Sequence, residues 1–176
     1  TSMFYLGLLM VVLQRQAYAE PCAVSCRPSI VGTVALVYSQ LLAGALVRHT
    51  GAGLSCNTDL VLCNGALFPV SGAGWLLFVH RTFGVLLALW ILVLGYRLHR
   101  TPGARGLGWT MVALVLLQVL LGVSAVKSHI APGIATAHLF LGALLFMTAV
   151  RLLLSTAAAS LPRHAEGPLH LAWQLK

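Results

Sequence analysis

The chain has 176 residues, of which 59% are hydrophobic and only 8% charged, with a mean hydropathy of +0.92. A water-soluble domain carries about a quarter charged residues, so this composition excludes one and points to an integral membrane protein. The formal net charge of +8 does not indicate nucleic acid as a partner, because the basic residues are scattered at the ends of apolar runs rather than gathered on one polar face.

Residues 1–29 come first. "MFYLGLLMVVL" is a run of 11 apolar residues, too short to cross a ~30 Å hydrocarbon layer, which takes about 20 residues of helix. "AYA" at 17–19 resembles a signal-peptidase site, yet Arg15 follows the apolar segment and nothing basic precedes it, the reverse of a signal peptide. The expectation is the tail of a further membrane helix, or an interfacial segment, cut short by the start of the sequence, with a signal peptide as the alternative. Cys22 and Cys26 read as free thiols.

Four runs long enough to span follow: Ile30 to Val47, Gly74 to Leu98, Leu107 to Val126 and Pro132 to Leu154. Their backbone must be satisfied inside the lipid, and continuous Leu/Val/Ala runs without period-2 alternation exclude a barrel. The expected fold is therefore all-α and integral to the membrane, an up-down bundle of four transmembrane helices over residues 30–155, with a surface tail at 156–176 that places Trp173 near the headgroups. Arg97 ends the second run, Arg100 and Arg105 lie between the second and third, and Arg151 and Arg163 follow the core of the fourth. The positive-inside rule then puts that loop and the C-terminus in the cytoplasm and the loops 48–74 and 127–131 outside, with Arg48 and Lys127 as exceptions. The membrane is expected to be the plasma membrane of a prokaryote.

An internal repeat organises these runs. "VALVYSQLLAG" (34–44) and "VALVLLQVLLG" (112–122) agree at seven of eleven positions, Gln40 matching Gln118 and Gly44 matching Gly122. The even runs share His-x-x-x-Gly-x-Leu-Leu, once from His80 and once from His138. The bundle reads as a duplicated helical hairpin.

The repeat places the two histidines. His80 is five residues after Trp75 and His138 six after Pro132, roughly 7 to 9 Å in from the starts of their helices at 1.5 Å per residue. They share a depth, and in an up-down bundle the second and fourth helices stand diagonally opposite, so the imidazoles face across the core. Gly84 and Gly142, each at i+4 on the same helix face, leave room for a planar macrocycle, with Ala135 and Ala143 adding space around His138. Two facing imidazoles in an apolar pocket point to a haem on axial His ligands, the competing reading being two histidines hydrogen-bonded across an ordinary small-residue interface. His49 and His129 lie near the rim; His99, His164 and His170 read as surface residues. Cys56 and Cys63, in the long polar connection, are expected to form a disulfide on the oxidising face. A metal site is the alternative, but no second Cys or His pair with zinc spacing accompanies them.

"GALVRHTGAGLSC" followed by "LCNG", the His80-Arg81 pair, "QVLLGV" and "ATAHLFLGALL" resemble haem A synthase, the membrane enzyme that oxidises a methyl group of haem O to a formyl group. The resemblance covers about residues 30–155. It implies two similar four-helix halves, of which the N-terminal one holds the substrate haem and has a Glu three residues before its first His, while the C-terminal one holds a b-type haem. Here that position is Leu77, and the only acids are Glu20, Asp59 and Glu166. Because methyl oxidation needs a group that manages protons or charge, the chain resembles the haem b half and its catalytic residues stay unassigned. The implied cofactor is haem b on His80 and His138, beside Gly84 and Gly142, with Arg48, Arg81 and His49 as candidates for its propionates. The expected partners are haem, a second homologous half or a second copy, and respiratory complex subunits. The expected function is a part in haem A biosynthesis with electron transfer; the alternative is a non-enzymatic b-type cytochrome or structural subunit of a respiratory or photosynthetic complex.

Overall fold

The computed structural model describes residues 26–101 and 103–159. Four helices account for most of them: α1 (Arg27–His49), α2 (Gly72–His99), α3 (Arg105–Lys127) and α4 (Pro132–Ala159), with a 3₁₀ turn at Ala52–Leu54 after α1. All four are long and apolar enough to cross a membrane, as expected of an all-α integral membrane bundle. Each helix runs a few residues past its apolar run, because the hydrophobic stretch marks the hydrocarbon while the helix continues to a capping residue beyond it. α1 has a proline in its first turn, where no N–H is missed. α2 is capped by Ser71, whose Oγ accepts the Gly74 N–H at 3.1 Å, and the Ser128 Oγ accepts the Ala131 N–H at 3.3 Å just before α4. The readings of residues 1–25, Cys22 and the tail from residue 160 lie outside the described residues.

Each helix packs on two neighbours: α1 on α2 and α4, α3 on α2 and α4. The helices thus form a ring in which α2 and α4 are diagonal, as the up-down topology requires. Two apolar layers fill it. The larger, with Ile30, Val37, Ile91, Leu98, Met111 and Leu152, lies toward the end where α1 begins. The smaller, with Val47, Ala52, Cys56, Cys63 and Leu77, caps the other end. Near the first end, Trp90 Nε1 donates to Thr33 Oγ1 at 2.8 Å, tying α1 to α2, and that hydroxyl donates to the Ser29 carbonyl at 2.8 Å.

The backbones of α2 and α3 approach closely at a pair of glycines. A Cβ on Gly95 would strike Val112 Cγ2 and lie 3.4 Å from the Gly108 carbonyl oxygen, and one on Gly108 would lie 3.0 Å from Leu98 Cβ. Small residues at a membrane crossing let backbones approach and gain dispersion contacts. Gly95→Val must push the helices apart, at a cost of about 1–3 kcal/mol. Thermal unfolding in detergent should show a clear drop in midpoint, and an unchanged midpoint would contradict this packing.

Candidate functional site

Between the two apolar layers lies a polar one, built twice. His80 sits on α2 between Leu77 of the cap and Leu87 of the core, and its ring rests on Gly44 of α1: a Cβ there would lie 3.0 Å from His80 Cε1 and 3.7 Å from each ring nitrogen. His138 on α4 rests in the same way on Gly122 of α3, with Cε1 3.4 Å and Nδ1 3.9 Å from the position of that Cβ. The contact is reciprocated one turn along. Gln40 Nε2 donates to the His80 backbone carbonyl at 3.0 Å and lies 2.8 Å from where a Cβ of Gly84 would be. Gln118 Nε2 lies 2.6 Å from the corresponding point on Gly142.

The cause lies in the sequence. One helix of each hairpin carries Gln-x-x-x-Gly and the other His-x-x-x-Gly. Run antiparallel, each long side chain lands on the other helix's glycine. In both imidazoles, Nδ1 is buried without a hydrogen-bond partner, and so is the Oε1 of Gln40 and of Gln118.

The other expected site residues divide. Arg81 turns toward the loop, where Nη1 donates to the Asp59 carbonyl at 2.6 Å while Nη2 is buried without a partner. Lys127 holds the neighbouring carbonyl, Nζ donating to Thr58 at 3.3 Å. Arg48 and His49 are exposed in the last turn of α1. His129 is exposed in the α3–α4 turn, and His99 accepts from Trp109 Nε1 at 3.3 Å at the opposite end of the bundle. Gly84 and Gly142, expected to leave room for a macrocycle, have glutamine amides against them. Gln40, Gly44, Gln118 and Gly122 had no role in the sequence reading. Their signal was nonetheless present, as matched positions of the repeat.

Cys56 and Cys63 are joined in a disulfide, as expected. Both sulfurs are buried against Leu77, which is 3% exposed, and an antiparallel bridge between Cys63 and Ala66 closes the loop. Cys26 is a free thiol. Unreduced protein should therefore leave Cys56 and Cys63 unlabelled by iodoacetamide until a reductant is added; ready alkylation of both beforehand would count against the bond. Among the described residues no group of three or more His, Cys, Asp or Glu is placed to hold a metal ion.

Residues 2–150 match the COX15-CtaA family of cytochrome oxidase assembly proteins. Among curated relatives, haem A synthase of Halalkalibacterium halodurans is 36% identical over 124 residues, covering 68% of this chain and 41% of the relative. Haem A synthase of Geobacillus thermodenitrificans is 31% identical over 143 residues, 78% of this chain and 45% of the relative. That of Symbiobacterium thermophilum is 35% identical over 109 residues, 59% and 35% respectively. The chain thus spans less than half the length of these relatives. The family match begins well ahead of residue 30, where the sequence resemblance was placed. It takes in both hairpins and the segment before them, and on that extent the chain belongs to the COX15-CtaA family of cytochrome oxidase assembly proteins.

Proposed function

We propose that the bundle holds one b-type haem between His80 and His138 and carries electrons within haem A biosynthesis. The observation that supports this reading best is the equivalent seating of the two imidazoles, each against a glycine of its neighbouring helix, on helices that stand diagonally across the ring. The residues suit the group. Two nitrogen donors, with no group of three or more metal-binding side chains among the described residues, would suit a macrocycle that brings four nitrogens of its own. An unpartnered buried Nδ1 on each ring is the atom that a ligating histidine uses to hold its orientation.

The chain's own groups divide the work. His80 and His138 would hold the haem iron through their ring nitrogens. Gly84 and Gly142 admit the glutamine amides and so keep each hairpin tight behind its histidine. Arg81, with its spare Nη2, is the first candidate for a propionate, since a guanidinium matches a carboxylate. Arg48 and His49, at the end of α1, stand at the same rim. The disulfide loop shields that end from water and is proposed to face outside, with the arginine-rich loop 100–105 and the C-terminus in the cytoplasm. When bound, the haem supplies one-electron transfer. The remainder of a full-length relative implies a second homologous half or a second copy of this chain, and respiratory complex subunits are the proposed wider partners.

Leu77 favours electron transfer over methyl oxidation in this chain. It is packed beneath the disulfide, and Asp59, the sole acid among the described residues, lies in the loop. The same observation supports the second reading, a b-type cytochrome subunit with no reaction of its own. A pyridine haemochrome spectrum with pigment extraction tests the cofactor. Stoichiometric haem B is the expected result; haem O, haem A or no haem would overturn it.

A further inference from the structure

The buried atoms left unpaired in the polar layer form a pattern. Each hairpin carries one orphaned imidazole Nδ1 and one orphaned glutamine Oε1, His80 with Gln40 and His138 with Gln118. A buried group without a partner costs about 1–3 kcal/mol, so the same pair orphaned twice at repeat-equivalent positions calls for a common cause. The chemistry of the two atoms is complementary. A histidine that offers Nε2 to a metal carries its proton on Nδ1, which makes Nδ1 a donor, and Oε1 is an acceptor only.

The geometry already brings the two side chains together. Gln40 Nε2 is bonded to the backbone carbonyl of His80 at 3.0 Å, so its Oε1 belongs to the same residue's surroundings. At the second site, Gln118 Nε2 lies against Gly142, one turn beyond His138, and the His138 ring rests on Gly122, one turn beyond Gln118. The glycines make this possible: a side chain at 84 or 142 would exclude the amide, and one at 44 would crowd the ring.

We propose that Gln40 and Gln118 are the positioning residues of the two histidines. Each amide clasps its histidine at two points, Nε2–H on the backbone carbonyl and Oε1 on the ring Nδ1–H. This fixes the tautomer and turns Nε2 into the bundle. The inference rests on the haem reading for its purpose, but not for its test.

In haem-free protein in detergent, the ring ¹⁵N resonances of His80 and His138 should report the Nδ1–H tautomer as the dominant form. Gln40→Met and Gln118→Met keep the side-chain length but remove both contacts, and each should release its own histidine into a tautomer mixture. Gln118→Glu, whose neutral carboxyl keeps one donor and one acceptor, should restore the tautomer at His138. In haem-loaded protein the Met variants should retain low-spin haem with about tenfold weaker affinity and a raised midpoint potential, because an imidazole without an Nδ1 acceptor is a poorer donor to ferric iron. Wild-type tautomers and potential in both Met variants would show the glutamines to be packing alone and would overturn the proposal. A wild-type chain that takes up no haem yet shows the tautomer change would sink the haem reading and leave the clasp standing.

Discussion

Replacing either His80 or His138 by Ala should abolish the low-spin b-type spectrum while leaving the protein in the membrane. The two histidines share one iron in this account, so neither can hold the low-spin state alone. The loss should far exceed the ~10–100-fold that removal of a supporting partner costs. Insertion depends on the apolar spans, and neither substitution shortens one. The check is the visible spectrum of membranes carrying each variant, alongside an immunoblot for inserted chain. Low-spin haem retained in both variants would refute the ligand assignment. Because His80 presses on Gly44 more closely than His138 does on Gly122, at 3.0 Å against 3.4 Å, the site of His80 is the more sensitive to added bulk on the facing helix.

The second large effect concerns catalysis. The 176-residue chain expressed alone should bind haem B and yield no haem A from haem O. Leu77 occupies the position where the resemblance expects a carboxylate and is buried in the cap beneath the disulfide, so no proton-managing group is offered there. With both imidazoles on the iron, as proposed, oxygen would find no open position, and electron transfer would be the chemistry left to the chain. Co-expression with a domain carrying Glu-x-x-His should restore conversion, read by extraction and chromatography of haem A. Robust conversion by the isolated chain would contradict the reading of Leu77 and direct attention to Asp59 or to a neighbouring protomer.

The spans were legible because hydrocarbon thickness acts on a simple sum of side-chain hydrophobicity, and each observed helix contains its expected run. Helix ends were less so. They depend on caps such as Ser71 and on the proline near Arg27, which lie beyond the apolar stretch. The diagonal placement of α2 and α4 followed from the alternating direction of the helices in an up-down bundle. At the site, His80 and His138 stood out as ionisable groups at one depth in apolar runs. Gln40 and Gln118 did not, since a glutamine matched in a repeat says that a position is shared and not what it touches. Gly84 and Gly142 illustrate the same limit: a missing side chain marks space in the sequence, and only packing says that an amide from the facing helix lies against it. The cap had a similar history. The Cys56–Cys63 pairing was expected from spacing and location, whereas the burial of Leu77 beneath it depends on how the loop folds back after Gly51.

Electron paramagnetic resonance of the oxidised, purified chain with its native pigment shows whether a single haem is held by two imidazoles. The expected result is a purely low-spin ferric signal integrating to one haem per chain, lost when either His80 or His138 is replaced. A high-spin axial signal of the same intensity in the unaltered protein, with an open coordination position on the iron, would contradict it.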